Sequence, residues 1–192
     1  MTSRITLISP AMNRSLRETR FDDGSPLDPS GRARAEAAVG SLRTADRVLV
    51  SPTTRCLETA SALGLTAVPE PELAGLDMGS WRGLTLDDVM TREPDGFTAW
   101  MTDPDAAPHG GESVRALCER AARWLDAAAG FEGRTLAVVE QEFVRALAVT
   151  ILDAPGPAFW RLDVRPLTAT DLSGHSGRWN LRLGRDLGTD VR

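Results

Sequence analysis

The sequence has no tyrosine, and only two of its 192 residues are cysteines and two are histidines. Cys56 and Cys118 lie in helix-like patterns rather than in paired loops, which predicts reduced thiols in the core of a cytoplasmic protein. No group of histidines, cysteines and acids has the spacing of metal ligands, so we expect neither a metal nor another cofactor.

Long apolar runs and an excess of positive charge are also missing. No apolar run approaches the ~18 residues of a spanning helix, and the amino terminus is too polar for a signal peptide, so we expect no membrane partner. The formal net charge is −5, with the positive charge carried by arginine, and this argues against a nucleic-acid partner. With 42% hydrophobic residues, the chain can form one domain over residues 1–192 with a sizeable core.

Three short apolar runs predict buried parallel strands. They end at Ser9, Ser51 and Glu140, and each is followed by a turn or a helix-like pattern. Because the carboxyl ends of parallel strands lie at the same edge of a sheet, we expect a cleft there, floored by residues 9–13, Ser51 with Arg55, and residues 140–142. The alternation of strands and helices predicts a three-layer α/β/α fold with a mostly parallel central sheet.

Helix signals and a hairpin complete the predicted architecture. Asp28, followed by Pro29, and Thr85 are expected helix N-caps, and a long helix is expected from Glu112 onward. Residues 167–183 contain two strand-like runs separated by glycines, which predicts a hairpin near one edge of the sheet.

Five segments, in the same order, resemble the histidine phosphatase superfamily, the phosphoglycerate-mutase-like proteins. They are residues 20–37, 51–60, 73–89, 108–113 and 136–147, and the resemblance covers nearly the whole chain. It implies a phosphoglycerate-mutase-like fold, and it aligns Arg55 with the phosphate-binding arginine of the family. The resemblance also allows a homodimer.

The functional positions of the family are largely changed in this chain. The arginine, histidine and glycine of the first motif correspond to Ser9, Pro10 and Ala11, the second histidine to Glu140, and the general acid to Gly75. Proline can be neither a nucleophile nor a base, so the phosphohistidine mechanism cannot run by its usual route. The resemblance therefore implies a degenerate member that lacks both catalytic histidines.

Glu140 is the candidate catalytic residue. Its carboxylate either forms a structural ion pair with Arg55 or Arg145, or it has a raised pKa and acts as a base. Candidate ligand-binding residues are Ser9, Asn13, Arg20, Arg55, Glu142 and His109.

The charges at the predicted cleft disfavour a phosphate dianion. Loss of one guanidinium at 4 Å removes about 4 kcal/mol of attraction at an effective dielectric of 20, and Glu140 adds repulsion of the same order. A neutral, cationic or weakly anionic small molecule is the expected ligand.

Three hypotheses follow for function. The first is a protein that keeps the phosphatase-like scaffold without phosphohistidine chemistry and binds a metabolite. The second is a repurposed isomerase, lyase or cyclase in which Glu140 transfers protons. The third is a phosphatase with a substitute nucleophile, the least favoured because no histidine is near enough in the pattern to activate Ser9, Ser51 or Ser113.

Overall fold

The computed structural model describes residues 3–175 and 177–187. Within these residues, a six-stranded mixed sheet forms the central layer. Its strands are β1 (Ser3–Ile8), β2 (Arg47–Val50), β3 (Val68–Pro69), β4 (Arg134–Val138), β5 (Thr168–His175) and β6 (Arg178–Asp186). The order is β3-β2-β4-β1-β5-β6, with the first four strands parallel and the β5–β6 hairpin antiparallel at one edge. The predicted mostly parallel sheet and edge hairpin are confirmed.

Helices cover both faces of this sheet, which gives the predicted three layers. The α-helices of the described residues are α1 (Arg14–Arg17), α2 (Pro29–Ala37), α3 (Thr54–Ala62), α4 (Leu86–Arg92), α5 (Pro94–Thr102), α6 (Val114–Ala129) and α7 (Gln141–Ile151). Short 3-10 turns occupy Pro71–Leu73, Gly79–Trp81 and Gly156–Arg161. No helix of the described ranges combines the length and the apolar character needed to cross a bilayer.

The strands are apolar on both sides because each side meets a helix layer. Leu7 and Ala137 belong to the core cluster that includes Phe143 of α7, whereas the next residues along these strands, Ile8 and Val138, belong to the cluster with α2 and α3. Successive side chains of a strand point to opposite faces, so a strand covered twice reads as a continuous apolar run. This packing holds the carboxyl ends of β1, β2 and β4 side by side.

The predicted helix starts are confirmed with small adjustments. The Thr85 hydroxyl accepts from the Asp88 N–H while the Asp88 carboxylate accepts from the Thr85 N–H, which is a complete capping box. The long helix begins at Val114 rather than at Glu112, because the Ser113 hydroxyl caps it by accepting from the Ala116 N–H.

Asp28 caps α2, and its contribution to the stability of the fold depends on pH. Its carboxylate accepts from the Gly31 N–H at 2.6 Å and from Arg17 at 2.5 Å. Burial raises the pKa of Asp28, but the hydrogen bonds from Arg17 and Gly31 outweigh burial and lower it to about 2. Since the folded-state pKa lies below the unfolded value, the ionised carboxylate stabilises the fold above about pH 4, and that stabilisation is lost as the pH falls towards 2.

We expect Asp28→Ala to lower the free energy of unfolding by about 1 kcal/mol at pH 7 because the cap is lost. Asp28→Asn keeps a side-chain acceptor without the charge, so its deficit should be smaller and should shrink as the pH is lowered to 3. Urea denaturation of the three proteins at both pH values measures this. An Asn deficit that does not change between the two pH values would contradict the assigned role of the charge.

Candidate active site

A cavity of about 490 Å³ opens at the carboxyl edge of the sheet. Four of the seven candidate catalytic and ligand-binding residues line it together, and these are Arg20, Arg55, Glu140 and Glu142. Arg55 lies in the first turn of α3 after β2, and Glu140 immediately precedes α7 after β4. The parallel strands therefore bring together two side chains that are 85 positions apart in the chain.

Arg55 and Glu140 form a buried, multiply hydrogen-bonded ion pair. The Arg55 Nε lies 2.9 and 2.8 Å from the two carboxylate oxygens of Glu140, and Nη2 lies 2.7 Å from Oε2. Thr53 donates its hydroxyl to Glu140 Oε1 at 2.6 Å. The side chains of Arg55 and Glu140 are only 4% and 1% exposed. Of the two partners predicted for Glu140, the structure pairs it with Arg55.

The local backbone explains this arrangement. Thr53 is the N-cap residue of α3, yet its hydroxyl forms no capping hydrogen bond and is free to donate to Glu140. Gly75 leaves room for the acid, because a Cβ added to Gly75 would lie 3.0 Å from the Glu140 Cγ. A side chain at position 75 would therefore force the Glu140 side chain to move.

Opposing effects act on the ionisation of this pair. Burial raises the pKa of the Glu140 carboxyl above its ordinary value, while Arg55 and Thr53 oppose the shift by hydrogen-bonding the charged form. Burial also disfavours the charged Arg55, but the adjacent Glu140 carboxylate holds the pKa of Arg55 above its usual range. The two groups depend on each other for charge compensation.

Two arginines that line the same cavity have a buried guanidinium nitrogen without a hydrogen-bond partner in the part of the chain that the structure describes. The Arg55 Nη1 is buried and has no hydrogen-bond partner, and it lies 4.0 Å from Asp22. Arg145 also lines the cavity; its buried Nε has no partner, and the side chain forms no hydrogen bond or ion pair within the described residues. Glu142 is half-buried and likewise unpaired in the described part of the chain. Buried donors in this state normally meet an acceptor from water or a ligand.

An aromatic wall, which the sequence analysis did not predict, forms part of the lining of the cavity. Phe21, Trp100 and Trp160 line it, with ring centroids 5.6 Å apart for Phe21 and Trp100 and 4.1 Å apart for Trp100 and Trp160. Trp81 packs behind them and is fully buried. The only sequence signal for this wall was the concentration of tryptophan and phenylalanine in residues 81–100 and at position 160.

Three predicted ligand contacts are not among the residues that line this cavity, and each side chain has a hydrogen bond to the protein backbone, although the buried Nε2 of His109 has no partner in the described residues. The Ser9 hydroxyl donates to the Arg165 carbonyl at 2.6 Å and is buried beside Thr168. Asn13 caps α1 and donates to the Ser25 carbonyl. His109 packs against Trp81 and accepts at Nδ1 from the Gly111 N–H. These side chains hold loops together beside the cavity.

Burial disfavours the charged forms of the two cysteine thiols and of His109. Burial raises the pKa of the Cys118 thiol to about 11 and that of the Cys56 thiol well above its ordinary value, so both stay protonated at neutral pH. Burial lowers the pKa of His109, against the attraction of Asp77 and Glu93. Over residues 3–175 and 177–187, no three histidine, cysteine or acidic side chains come together as metal ligands would.

Comparison with known proteins gives a consistent family match. The model of the histidine phosphatase superfamily (branch 1) matches residues 11–186. A bifunctional protein of Mycobacterium tuberculosis is 30% identical over 171 residues, which are 83% of this chain and 47% of that protein, so the chain spans about half the length of this relative. The adenosylcobalamin/alpha-ribazole phosphatase of Salmonella typhimurium is 30% identical over 149 residues, covering 73% of this chain and 74% of the relative.

Solved structures give the same fold. A mycobacterial glucosyl-3-phosphoglycerate phosphatase complexed with VO3 superposes with a TM-score of 0.83 at 26% identity, over 95% of this chain and 98% of that chain. A putative alpha-ribazole-5'-P phosphatase from Escherichia coli superposes with a TM-score of 0.86 at 22% identity, over 99% of each chain, and this likeness concerns the fold alone.

Proposed function

Since the chain belongs to branch 1 of the histidine phosphatase superfamily, we propose that it keeps this scaffold without phosphohistidine chemistry and binds a small-molecule metabolite in the former phosphate pocket. The buried ion pair of Arg55 and Glu140 is the observation that carries the proposal. By its sequence resemblance, Arg55 corresponds to the phosphate-binding arginine of the family, and two of its donors are already bound to a carboxylate of the same chain.

Electrostatics supports this proposal. A phosphate dianion entering beside Arg55 would either displace Glu140 or lie next to its negative charge. At about 4 Å and an effective dielectric of 20, each such repulsion costs about 4 kcal/mol per pair of unit charges. Asp22, Asp77 and Glu142 add three further carboxylates to the cavity lining in the described part of the chain. With Glu140 they balance the four arginines of this lining, Arg20, Arg55, Arg82 and Arg145, and leave no surplus of positive charge for a dianion. The pocket is therefore better suited to a neutral, cationic or weakly anionic ligand.

The absence of an imidazole from the cavity lining also supports the proposal. The two histidines of the sequence are His109 and His175, and neither belongs to the residues that line this cavity. Pro10, which takes the position of the family's nucleophile, offers no atom that phosphorus could be transferred to. A phosphohistidine intermediate thus has no residue on which to form.

The aromatic rings and the hydrogen-bond donors of the pocket indicate the kind of ligand that it would bind. Phe21, Trp100 and Trp160 offer an apolar surface. The Arg145 Nε and the Arg55 Nη1 offer donors without a hydrogen-bond acceptor in the described residues, although the Arg55 Nη1 lies 4.0 Å from Asp22. A molecule with an aromatic or apolar body and one hydrogen-bond-accepting group would satisfy both sides.

A thermal-shift screen of metabolites tests the binding function. We expect a ligand of this kind to raise the melting temperature, because at 100 times its Kd a ligand stabilises the native state by about 2.7 kcal/mol. Arg145→Gln should lose the response, whereas Arg123→Gln, an exposed residue of α6, should keep it. A ligand that shifts both variants equally would place its binding outside this cavity and contradict the proposal.

Phosphatase activity is the rival function, since several relatives are named phosphatases. We expect the purified protein not to hydrolyse p-nitrophenyl phosphate, since the pocket offers no imidazole nucleophile. Turnover that disappears in Arg55→Ala would overturn the proposal and favour a substitute nucleophile.

A repurposed isomerase, lyase or cyclase is the second candidate, favoured because Glu140 and Glu142 are two of the four carboxylates that line one cavity in the described structure. It predicts that Glu140→Gln abolishes turnover of a metabolite without lowering the melting temperature. Glu142→Gln is the matched test of the unpaired carboxylate.

A further inference from the structure

A second cavity, of about 830 Å³, lies on the sheet and shares no lining residue with the first. Helices α2 and α3 cover the carboxyl half of this sheet face, where Ile8 and Val138 are buried. Towards the amino ends of β1 and β4 the same face carries polar side chains instead. This part of the face is concave and open.

The strand register explains why the cavity is basic. Arg4 of β1 lies directly beside Arg134 of β4, and the same row continues through Ser173 of β5 to Asn180 of β6. One pleat further along, Thr6 lies beside Asp171, and Asp171 lies beside Arg182. These residues all line the cavity.

Positive charge is concentrated in this cavity, although the chain as a whole has a negative net charge. Within residues 3–175 and 177–187, five arginines line the cavity, namely Arg4, Arg43, Arg134, Arg182 and Arg185, and Asp171 is the only carboxylate in the lining. Arg185 is paired with Asp171 at 3.5 Å, but Arg4, Arg43 and Arg182 form no ion pair within the described residues. The chain as a whole carries a net charge of −5, so its average composition would not produce this cluster.

Arg4 and Arg134 occupy paired positions on the neighbouring parallel strands β1 and β4, and their like charges repel each other. The repulsion is relieved when an anion lies between the guanidinium groups. Guanidinium binds phosphate oxygens through two parallel hydrogen bonds, and several guanidinium groups around one cavity match an anion with several phosphate groups. We propose that this basic cavity binds a small molecule that carries a di- or triphosphate group.

The size and the overall charge favour a small ligand over a nucleic acid. The volume is within the range of small-molecule sites, about 300–1,000 Å³. A long polyanion would extend beyond the arginine cluster and meet a surface with net negative charge, which repels it. Ser173 and Asn180 supply neutral hydrogen-bonding groups beside Arg4 for the part of the ligand that is not phosphate.

Isothermal titration calorimetry with inorganic tripolyphosphate tests the site at low ionic strength. We expect the wild-type protein to bind, and the double variant Arg4→Gln/Arg182→Gln to bind at least about tenfold more weakly, because two charge-assisted contacts are lost. Both side chains are exposed, so the variant should fold normally. The matched control is Arg123→Gln/Arg161→Gln, which removes the same charge from exposed positions outside both cavities.

Each other outcome overturns the proposal. No binding to the wild-type protein removes the site, and equal weakening in both double variants shows only a general effect of net charge. Loss of binding in Arg145→Gln, with retention in Arg4→Gln/Arg182→Gln, assigns the anion to the first cavity. Preferential binding of a DNA duplex over tripolyphosphate identifies the face as a nucleic-acid surface instead.

Discussion

Replacing Glu140 with alanine is expected to lower the free energy of unfolding by about 3–5 kcal/mol, which is a large share of the stability of a typical domain. The substitution leaves the Arg55 guanidinium buried, at 4% exposure, without the carboxylate that binds its Nε and Nη2. Thr53 loses its acceptor as well. Breaking one side of a buried pair costs more than the pair itself contributes, because the remaining charge is shielded from water and keeps, among the described residues, only the more distant Asp22, 4.0 Å from Nη1, as an ion-pair partner.

Chemical denaturation at pH 7 measures this loss. Glu142→Ala removes a neighbouring carboxylate that has no partner in the described residues, so its unfolding free energy should change by only about 0.5 kcal/mol or less. The double variant Arg55→Met/Glu140→Leu removes both charges and should recover most of the stability that Glu140→Ala loses. A cost below about 1 kcal/mol for Glu140→Ala would show that the pair is not structural and would favour Glu140 as a base.

The reverse variant, Arg55→Ala, should make stability depend on pH in a defined direction. Burial then acts on Glu140 without opposition from Arg55, so the folded-state pKa stays above the ordinary value of 4.5. The folded state binds the proton more tightly than the unfolded state, and its stability therefore falls as the pH rises above about 4.5. Unfolding curves at pH 4 and pH 8 measure the effect, and equal stability at both would contradict it.

Replacing Trp81 with alanine is expected to cost about 3–5 kcal/mol and to abolish binding in the first cavity. Trp81 is fully buried, and its ring contacts Phe21, Trp100 and His109 at centroid distances of 5.8, 5.6 and 5.1 Å. Its Nε1 also donates to Glu93 at 3.2 Å. Removing the ring leaves a void behind the aromatic wall, and Phe21 and Trp100 can then shift away from the ligand.

Denaturation and the thermal-shift response measure the two parts of this prediction. Trp81→Phe retains most of the ring volume and should lose less stability than Trp81→Ala. Met90→Ala, on the nearby helix α4, changes a residue that is 46% exposed and should stay within about 0.5 kcal/mol of the wild type. A stability loss below about 1 kcal/mol for Trp81→Ala would mean that this cluster does not support the cavity wall.

The sequence predicted the fold well because its signals are local. The apolar runs ending at Ser9, Ser51 and Glu140, and the caps at Asp28 and Thr85, depend on neighbouring residues and on general strand and helix preferences. The shared edge of the parallel strands followed from these elements. The meeting of Arg55 and Glu140 could be expected for the same reason.

Only the tertiary structure decided which side chains line the two cavities. Ser9, Asn13 and His109 are not among the residues that line the predicted cleft; the side chains of Ser9 and Asn13 and the Nδ1 of His109 bind backbone groups instead. Arg4 and Arg182, at opposite ends of the chain, share a face only because β5 joins β1 to β6 in one register. Sequence patterns indicate which face of a strand or helix is apolar. The choice of partner for each polar side chain is made by distant residues, because it depends on the burial and the geometry that the whole packed molecule imposes.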